Sequence, residues 1–292
     1  NGVRPVFADI DPVSYNIDPA EIERHITDRT GLLLPVHFAG LPCDMERISA
    51  IAKKHKLHVI EDAAHAIGSQ YADGSYVGCC KYSDMTVFSF HPVKTITTGE
   101  GGAVTTNDGE LYKRLLMLRS HGVTKDEKLL TKNPGPWYYE MQTLGFNYRM
   151  TDMQAALGCS QLKKLDTFKK RRREIVAEYN RAFAGMKHLR TPAEPEGVSS
   201  CFHLYATQVD FAALGKPRVQ VMQELRDRGI GTQVHYIPVH TQPFYKKTYG
   251  YREGDYPVAE KYYERELSLP LYPGMGDGNV ESVIRAVKEI IG

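Results

Sequence analysis

Residues 89–103 read SFHPVKTITTGEGGA. Lys94 stands there between the end of an apolar, β-prone run (residues 85–90, MTVFSF) and a Thr/Gly-rich turn that leads into GAVTT. A lysine keeps its ammonium in water unless the charge is paired or lost. One way to lose it is to condense with an aldehyde. A strand–lysine–glycine-turn–strand order therefore predicts an open α/β sheet with chemistry at a strand end.

Working outward, residues 57–60 (LHVI), 32–36 (LLLPV) and 3–10 (VRPVFADI) also read as strands. They alternate little between apolar and polar positions, which predicts a sheet covered on both faces. Asp44 caps a predicted helix whose apolar face is Met45, Ile48 and Ala52, with Lys53, Lys54 and Lys56 at its negative end. Leu111, Leu115 and Leu118 mark another helix after Asp108. Strand–helix–strand alternation implies right-handed crossovers and a mostly parallel sheet. Residues 151–154 (TDMQ) form a capping-box pattern opening a long helix with Met153, Leu157, Leu165 and Phe168. The run KKRRR at 169–173 is read as a solvated face of that helix, because no aromatic or glycine residues interleave it. The loop TPAEPEG (191–197) precedes the expected core of a smaller domain. That part has strands at 204–209 and 232–236 and a helix after Pro217 carrying Val221, Met222 and Leu225 and stopping at Gly229. Val280, Ile284, Val287 and Ile291 make an apolar stripe on a last helix.

Two domains fit 292 residues. The expected division is 1–165 for a large domain and 166–292 for a connecting helix with a small C-terminal α/β domain. An apolar content of 42% with 25% charged residues excludes a mainly disordered chain, and a net charge of +2 gives no whole-chain case for nucleic acid or membrane. No apolar run approaches membrane-spanning length. Five cysteines without a CxxC pair fit reduced thiols in a cytoplasmic protein and predict no metal site.

Four pieces carry candidate chemistry. Glu61-Asp62-Ala63-Ala64-His65 follows the strand ending at Ile60; Ser89, His91 and Lys94 follow the next. Thr97 to Gly102 (TTGEGG) is either a phosphate loop or a plain tight turn, and it lacks GxxxxGK[ST] spacing. Residues 145–150 (GFNYRM) place Arg149 just before a helix N-terminus, where the dipole does not favour a cation and an anionic ligand would. Taken singly, Asp62 could be a cap, His65 a satisfied core histidine and Lys94 a surface amine. Taken together, an acid at one strand end and a lysine at the next match what pyridoxal 5′-phosphate demands. A carboxylate keeps the pyridine nitrogen protonated, and an amine binds the aldehyde and then moves protons.

At these residues the sequence resembles the DegT/DnrJ-type sugar aminotransferases, pyridoxal-phosphate enzymes of fold type I. VIEDAAHAIGSQY, VFSFHPVKTITTGEGGAVTTND, LRSHGV, LGFNYRMTDMQAALG and VHYIPVHTQPFY all look like family blocks and span the chain. The resemblance implies Lys94 as the Schiff-base lysine, Asp62 as the partner of the pyridine nitrogen, His65 beside the cofactor ring, and Ser89 on its phosphate. It implies Asn147 on the phosphate of a neighbouring subunit, hence a homodimer with shared sites, and Arg149, His235 and Tyr236 facing substrate. The likeness is closest to the pseudaminic-acid branch. That branch transfers an amino group from glutamate to C4 of a UDP-linked 2-acetamido-2,6-dideoxy-4-keto hexose; the arabinose-modifying branch is the rival. Sugar dehydratases of the same fold place histidine at the Lys94 position, and a non-catalytic relative would lack the Asp or the Lys. The family pattern also includes an upstream turn and a stacking aromatic ahead of the first strand, which this chain is expected to lack, so that the large domain is expected to be incomplete at its N-terminus.

Overall fold

The computed structural model describes residues 2–292. Four strands make the first sheet: β1 (Leu32–Leu33), β2 (His58–Asp62), β3 (Met85–Ser89) and β4 (Gly102–Thr105), in that spatial order. β1, β2 and β3 run parallel, and β4 returns antiparallel from the Lys94 turn. A two-stranded ribbon, β5 (Val123–Thr124) with β6 (Glu140–Met141), stands apart. The third sheet is antiparallel, with β8 (Tyr205–Val209) between β7 (Leu189–Arg190) and β9 (Glu266–Leu269). The helices are α1 (Pro19–His25), α2 (Met45–His55), α3 (Gly109–Arg119), α4 (Asp152–Leu162), α5 (Leu165–Phe183), α6 (Phe211–Leu214), α7 (Arg218–Asp227), α8 (Pro243–Tyr249), α9 (Pro257–Arg265) and α10 (Asp277–Ile291).

Two apolar cores result. One packs Met45, Ile48 and Ala52 of α2 against Leu33, Val59 and Phe88 of the first sheet. Asp44 caps α2 by accepting from the Arg47 amide at 3.2 Å, as its position predicts. The other packs α5, α7 and α10 on the third sheet through Ile175, Tyr179, Val221, Leu225, Val280, Val287 and Ile291. It begins at Ile175, ahead of the 191–197 loop, because the C-terminal half of α5 already turns its apolar face into it.

Several sequence expectations need correction. Residues 3–10 form no strand beyond an isolated bridge from Ile10 to Ile17. This segment serves the other end of the chain instead. Phe7 packs among Tyr245, Tyr251 and Tyr256, and the buried Asp9 carboxylate accepts from the amides of Val258 and Ala259 at 2.9 Å each, capping α9 from outside. Asp9→Ala should therefore lower stability by about 0.5–2 kcal/mol, read as a drop in the urea midpoint. The expected strand at 232–236 reduces to one bridge, Gln233 to Ser268. The long helix after the capping box breaks at Lys163–Lys164 into α4 and α5, although the box itself forms in full. Met153 and Leu157 of α4 face outward, 82% and 42% exposed, so nothing among the described residues covers that stripe.

The basic run 169–173 is not a solvated face. Lys169 donates to the Gly68 carbonyl at 2.7 Å, and Arg171 reaches the Met275 carbonyl and Asp277. Arg173 pairs with Glu194. Arg172 is buried and donates to three carbonyls, of Phe202, His203 and Leu271, at 2.9–3.1 Å. Charge count alone predicts solvation; here the guanidinium forks satisfy loop carbonyls that have no other partner.

Candidate active site

β2 and β3 are neighbours in the parallel part of the first sheet, with Asp62 in register with Val87. Their carboxyl ends therefore open on the same edge. Asp62 is the last residue of β2; its Oδ1 accepts from the Ala64 amide at 2.9 Å, and Oδ2 has no partner among the described residues. Side chains alternate along a strand, so Glu61 points to the opposite face. There its carboxylate is fully buried and takes four partners: His37 Nε2 at 2.7 Å, Thr86 Oγ1 at 3.1 Å, and the hydroxyls of Tyr71 and Ser83. Burial would raise the Glu61 pKa, but the hydrogen bonds and charge of His37, Ser83 and Tyr71 hold it below the usual glutamate value. The ends of β2 and β3 are fixed by this cluster.

Lys94 sits on the loop after β3. The loop is closed at its base by Thr98 N to Phe90 O at 3.0 Å and Phe90 N to Gly101 O at 2.9 Å, and anchored by the buried Ile96. The Gly-rich turn serves this closure. Thr98 Oγ1 binds the Glu100 carbonyl at 2.7 Å, and at Gly101, with φ of +156°, an added Cβ would lie 2.4 Å from Thr98 Oγ1. The turn is thus a tight turn by construction. The Lys94 amine is half-buried and has no hydrogen-bond partner among the described residues. Burial lowers its pKa, and the nearby Asp62 carboxylate partly restores it. A lysine so placed gives up its proton more readily than a solvated one.

Three imidazoles surround this amine. His65 and His203 are buried with ring centroids 4.4 Å apart, and each leaves Nδ1 without a partner among the described residues. Burial, with the charges of Lys94 and His235, pushes His65 down to about 3; burial and the neighbouring His65 push His203 down to about 2. Tyr236 lies 6.3 Å from His65. His235 binds Ser268 Oγ through Nδ1 at 2.8 Å, and burial with the Lys94 charge lowers its pKa as well.

The structure thus brings Asp62, Lys94, His65, His235 and Tyr236 into one cleft. Ser89 ends β3 at its rim, with Oγ accepting weakly from the His91 amide at 3.4 Å. Asn147 and Arg149 do not join the cleft within the chain: both are exposed, and neither side chain hydrogen-bonds another described residue. Sequence reasoning missed Glu61 as a structural group, although its place beside Asp62 in a buried strand was a usable signal. It also missed His37, His203, Glu266 and Ser268, which chain folding alone brings near.

Residues 1–288 match the model of the DegT/DnrJ/EryC1/StrS aminotransferase family. The chain belongs to that family. Among its relatives, the chain is 46% identical to the spore coat polysaccharide biosynthesis protein SpsC of Bacillus subtilis and 47% identical to the uncharacterized protein MJ1066 of Methanocaldococcus jannaschii. Each match covers 99% of this chain and 74% of the relative. Among solved structures it resembles Helicobacter pylori PseC, an aminotransferase involved in pseudaminic acid biosynthesis. The TM-score is 0.90 at 33% identity, over 99% of this chain and 74% of that one. It also resembles Streptomyces venezuelae DesV solved with a ketimine intermediate, with a TM-score of 0.87 at 35% identity over 98% of this chain and 71% of that one. As a DegT/DnrJ/EryC1/StrS family member it is a pyridoxal-phosphate-dependent sugar aminotransferase of fold type I. The cleft fits that cofactor: an unpartnered amine of lowered pKa for the aldehyde, a free carboxylate oxygen at the neighbouring strand end, and two buried imidazole nitrogens that await partners. Among the described residues no helix is long and apolar enough to cross a membrane.

Proposed function

We propose that this aminotransferase moves an amino group from glutamate to C4 of a UDP-linked 2-acetamido-2,6-dideoxy-4-keto hexose. The observation that carries the chemistry is the placing of Lys94, on the loop after β3, near Asp62 at the end of the adjacent parallel strand β2. The likeness to PseC supports the sugar. Greater identity to SpsC, 46% against 33%, favours a second reading in which another nucleotide-linked keto-sugar is aminated for a surface polysaccharide.

Lys94 would hold the cofactor aldehyde, Asp62 its pyridine nitrogen, His65 its ring and Ser89 its phosphate. When bound, the cofactor supplies an electron sink that stabilises charge on the carbon losing its proton. Lys94 Nζ, whose pKa burial lowers, takes the α-proton of glutamate and later returns a proton to C4 of the sugar. His235 and Tyr236 line the substrate side. Asn147 would reach the phosphate of a second copy, and Arg149 the substrate, which makes the working unit a homodimer. Exposed apolar side chains around that segment, Leu144, Phe146, Tyr148 and Met153, support a partner surface there. We also propose residues 1–165 and 166–292 as the large and small domains.

The test is incubation with glutamate and the 4-keto sugar, reading the product by mass and NMR. A 4-amino sugar with one equivalent of 2-oxoglutarate is expected; a different accepted keto-sugar would move the assignment to the second reading. Asp62→Asn should cut kcat about 10²–10³-fold, since two or three pKa units lost at the pyridine nitrogen cost that much. An unchanged kcat would remove Asp62 from the role.

A further inference from the structure

β9 places Glu266 and Ser268 two residues apart, so both side chains leave the same face of the strand. The segment carrying His235 lies along that strand, pinned by two backbone bonds between Gln233 and Ser268 at 3.2 and 2.9 Å. Glu266 is fully buried, and each of its oxygens has a partner that leads to His235. Oε2 accepts from the His235 amide at 2.7 Å. Oε1 accepts from Ser268 Oγ at 2.5 Å, and that Oγ meets His235 Nδ1 at 2.8 Å.

The direction of these bonds follows from proton counting. An ionised carboxylate only accepts, so the single hydroxyl proton of Ser268 points to Glu266. Ser268 Oγ then has only lone pairs left for the ring, and His235 Nδ1 must carry the proton. A neutral imidazole has one N–H, which leaves Nε2 as a bare acceptor. The neighbours of this ring are Lys94, His65 and His203 across the cleft and Tyr236 beside it; Arg218 and Tyr262 face Glu266. The lysine charge and burial both disfavour the imidazolium, so the ring works as a neutral group.

We propose that Glu266, acting through Ser268, is a positioning residue that fixes His235 as the Nδ1–H tautomer and presents a bare Nε2 to a hydroxyl donor of the bound sugar. The hydroxyl half of this statement rests on the sugar-aminotransferase reading; the tautomer half does not. An acceptor at this position selects a ligand that carries O–H or N–H there and rejects one that offers only a lone pair.

Glu266→Gln inverts the relay at almost constant shape. The His235 amide needs an acceptor, so the glutamine carbonyl oxygen takes the Oε2 place. The glutamine NH₂ then faces Ser268 and donates. The serine hydroxyl must turn to His235 Nδ1, and the ring proton moves to Nε2.

The experiment is a long-range ¹H–¹⁵N spectrum of histidine-labelled, cofactor-free protein, with His235 assigned by its loss in His235→Gln. It is run at pH 8.5, above the value of about 7 to which burial pushes Glu266 against the hydrogen bonds of Ser268 and the His235 amide. The wild type should show a protonated Nδ1 and an unprotonated Nε2, and Glu266→Gln the reverse. Ser268→Ala, which cuts the relay without touching the carboxylate, should lose the fixed Nδ1–H pattern. A circular-dichroism melt identifies any variant that has not folded. A wild-type ring protonated at Nε2, or a folded Glu266→Gln with an unmoved spectrum, overturns the proposal. In turnover, Glu266→Gln should raise KM for the keto-sugar about 3- to 10-fold, the loss of one hydrogen bond, and leave KM for glutamate unchanged. An unmoved sugar KM overturns the hydroxyl contact. A wild type that aminates no sugar would sink the proposed function while the spectrum still decides the tautomer.

Discussion

Lys94→Ala should leave a folded protein that no longer develops the visible absorbance of bound pyridoxal phosphate and that turns over at least about 10³-fold more slowly. The side chain is half-buried and makes no hydrogen bond to the described residues, so its loss removes the chemistry with little structure attached to it. The loop is held by Phe90, Thr98, Gly101 and Ile96, none of which needs the amine. Stability should therefore stay within about 0.5 kcal/mol of the wild type, the usual range for sites away from the core. Lys94→Arg sharpens the test: it keeps the charge beside Asp62 but cannot condense with an aldehyde, and should be equally inactive. Turnover by either variant within tenfold of the wild type would contradict the role.

Glu61→Ala should have the opposite profile, with a stability loss of about 3–5 kcal/mol, the scale for breaking a buried charged cluster from one side. Its removal strands the buried His37 Nε2 and the hydroxyls of Tyr71 and Thr86, leaves the half-buried Ser83 hydroxyl without its carboxylate, and each stranded buried donor adds its own desolvation cost. The check is the urea midpoint at pH 7. The pH dependence has a definite sign. The folded-state pKa of Glu61 lies below its ordinary value of 4.5, so its contribution is fully present above that pH and fades as pH falls through the folded value. The gap between wild type and variant should narrow below about pH 4.5. A variant as stable as the wild type at pH 7 would show that the cluster does not hold β2 and β3.

The pattern of what could be read from the chain is itself physical. Strand ends and capped helices are local: the apolar run before Lys94, the Asp44 cap and the Thr151–Gln154 box all form where the residues predict. So the positions of Asp62 at one strand end and Lys94 just after the next are legible in the sequence alone. What failed was long-range. Residues 3–10 have β-prone composition, but Phe7 and Asp9 find their partners about 240 residues away, around α8 and α9. Arg172 looks like one more solvated cation until the carbonyls of Phe202, His203 and Leu271 arrive beside it. Glu266 and Ser268 carry no motif, and their meaning comes only from the segment laid along β9.

The central claim is that Lys94 is the residue that binds the cofactor. The most direct measurement is borohydride reduction of the protein loaded with pyridoxal phosphate, followed by peptide mass mapping. The account predicts one stable pyridoxyl adduct per chain, on Lys94. An adduct on another lysine, or no adduct in a protein that still aminates sugar, would contradict it.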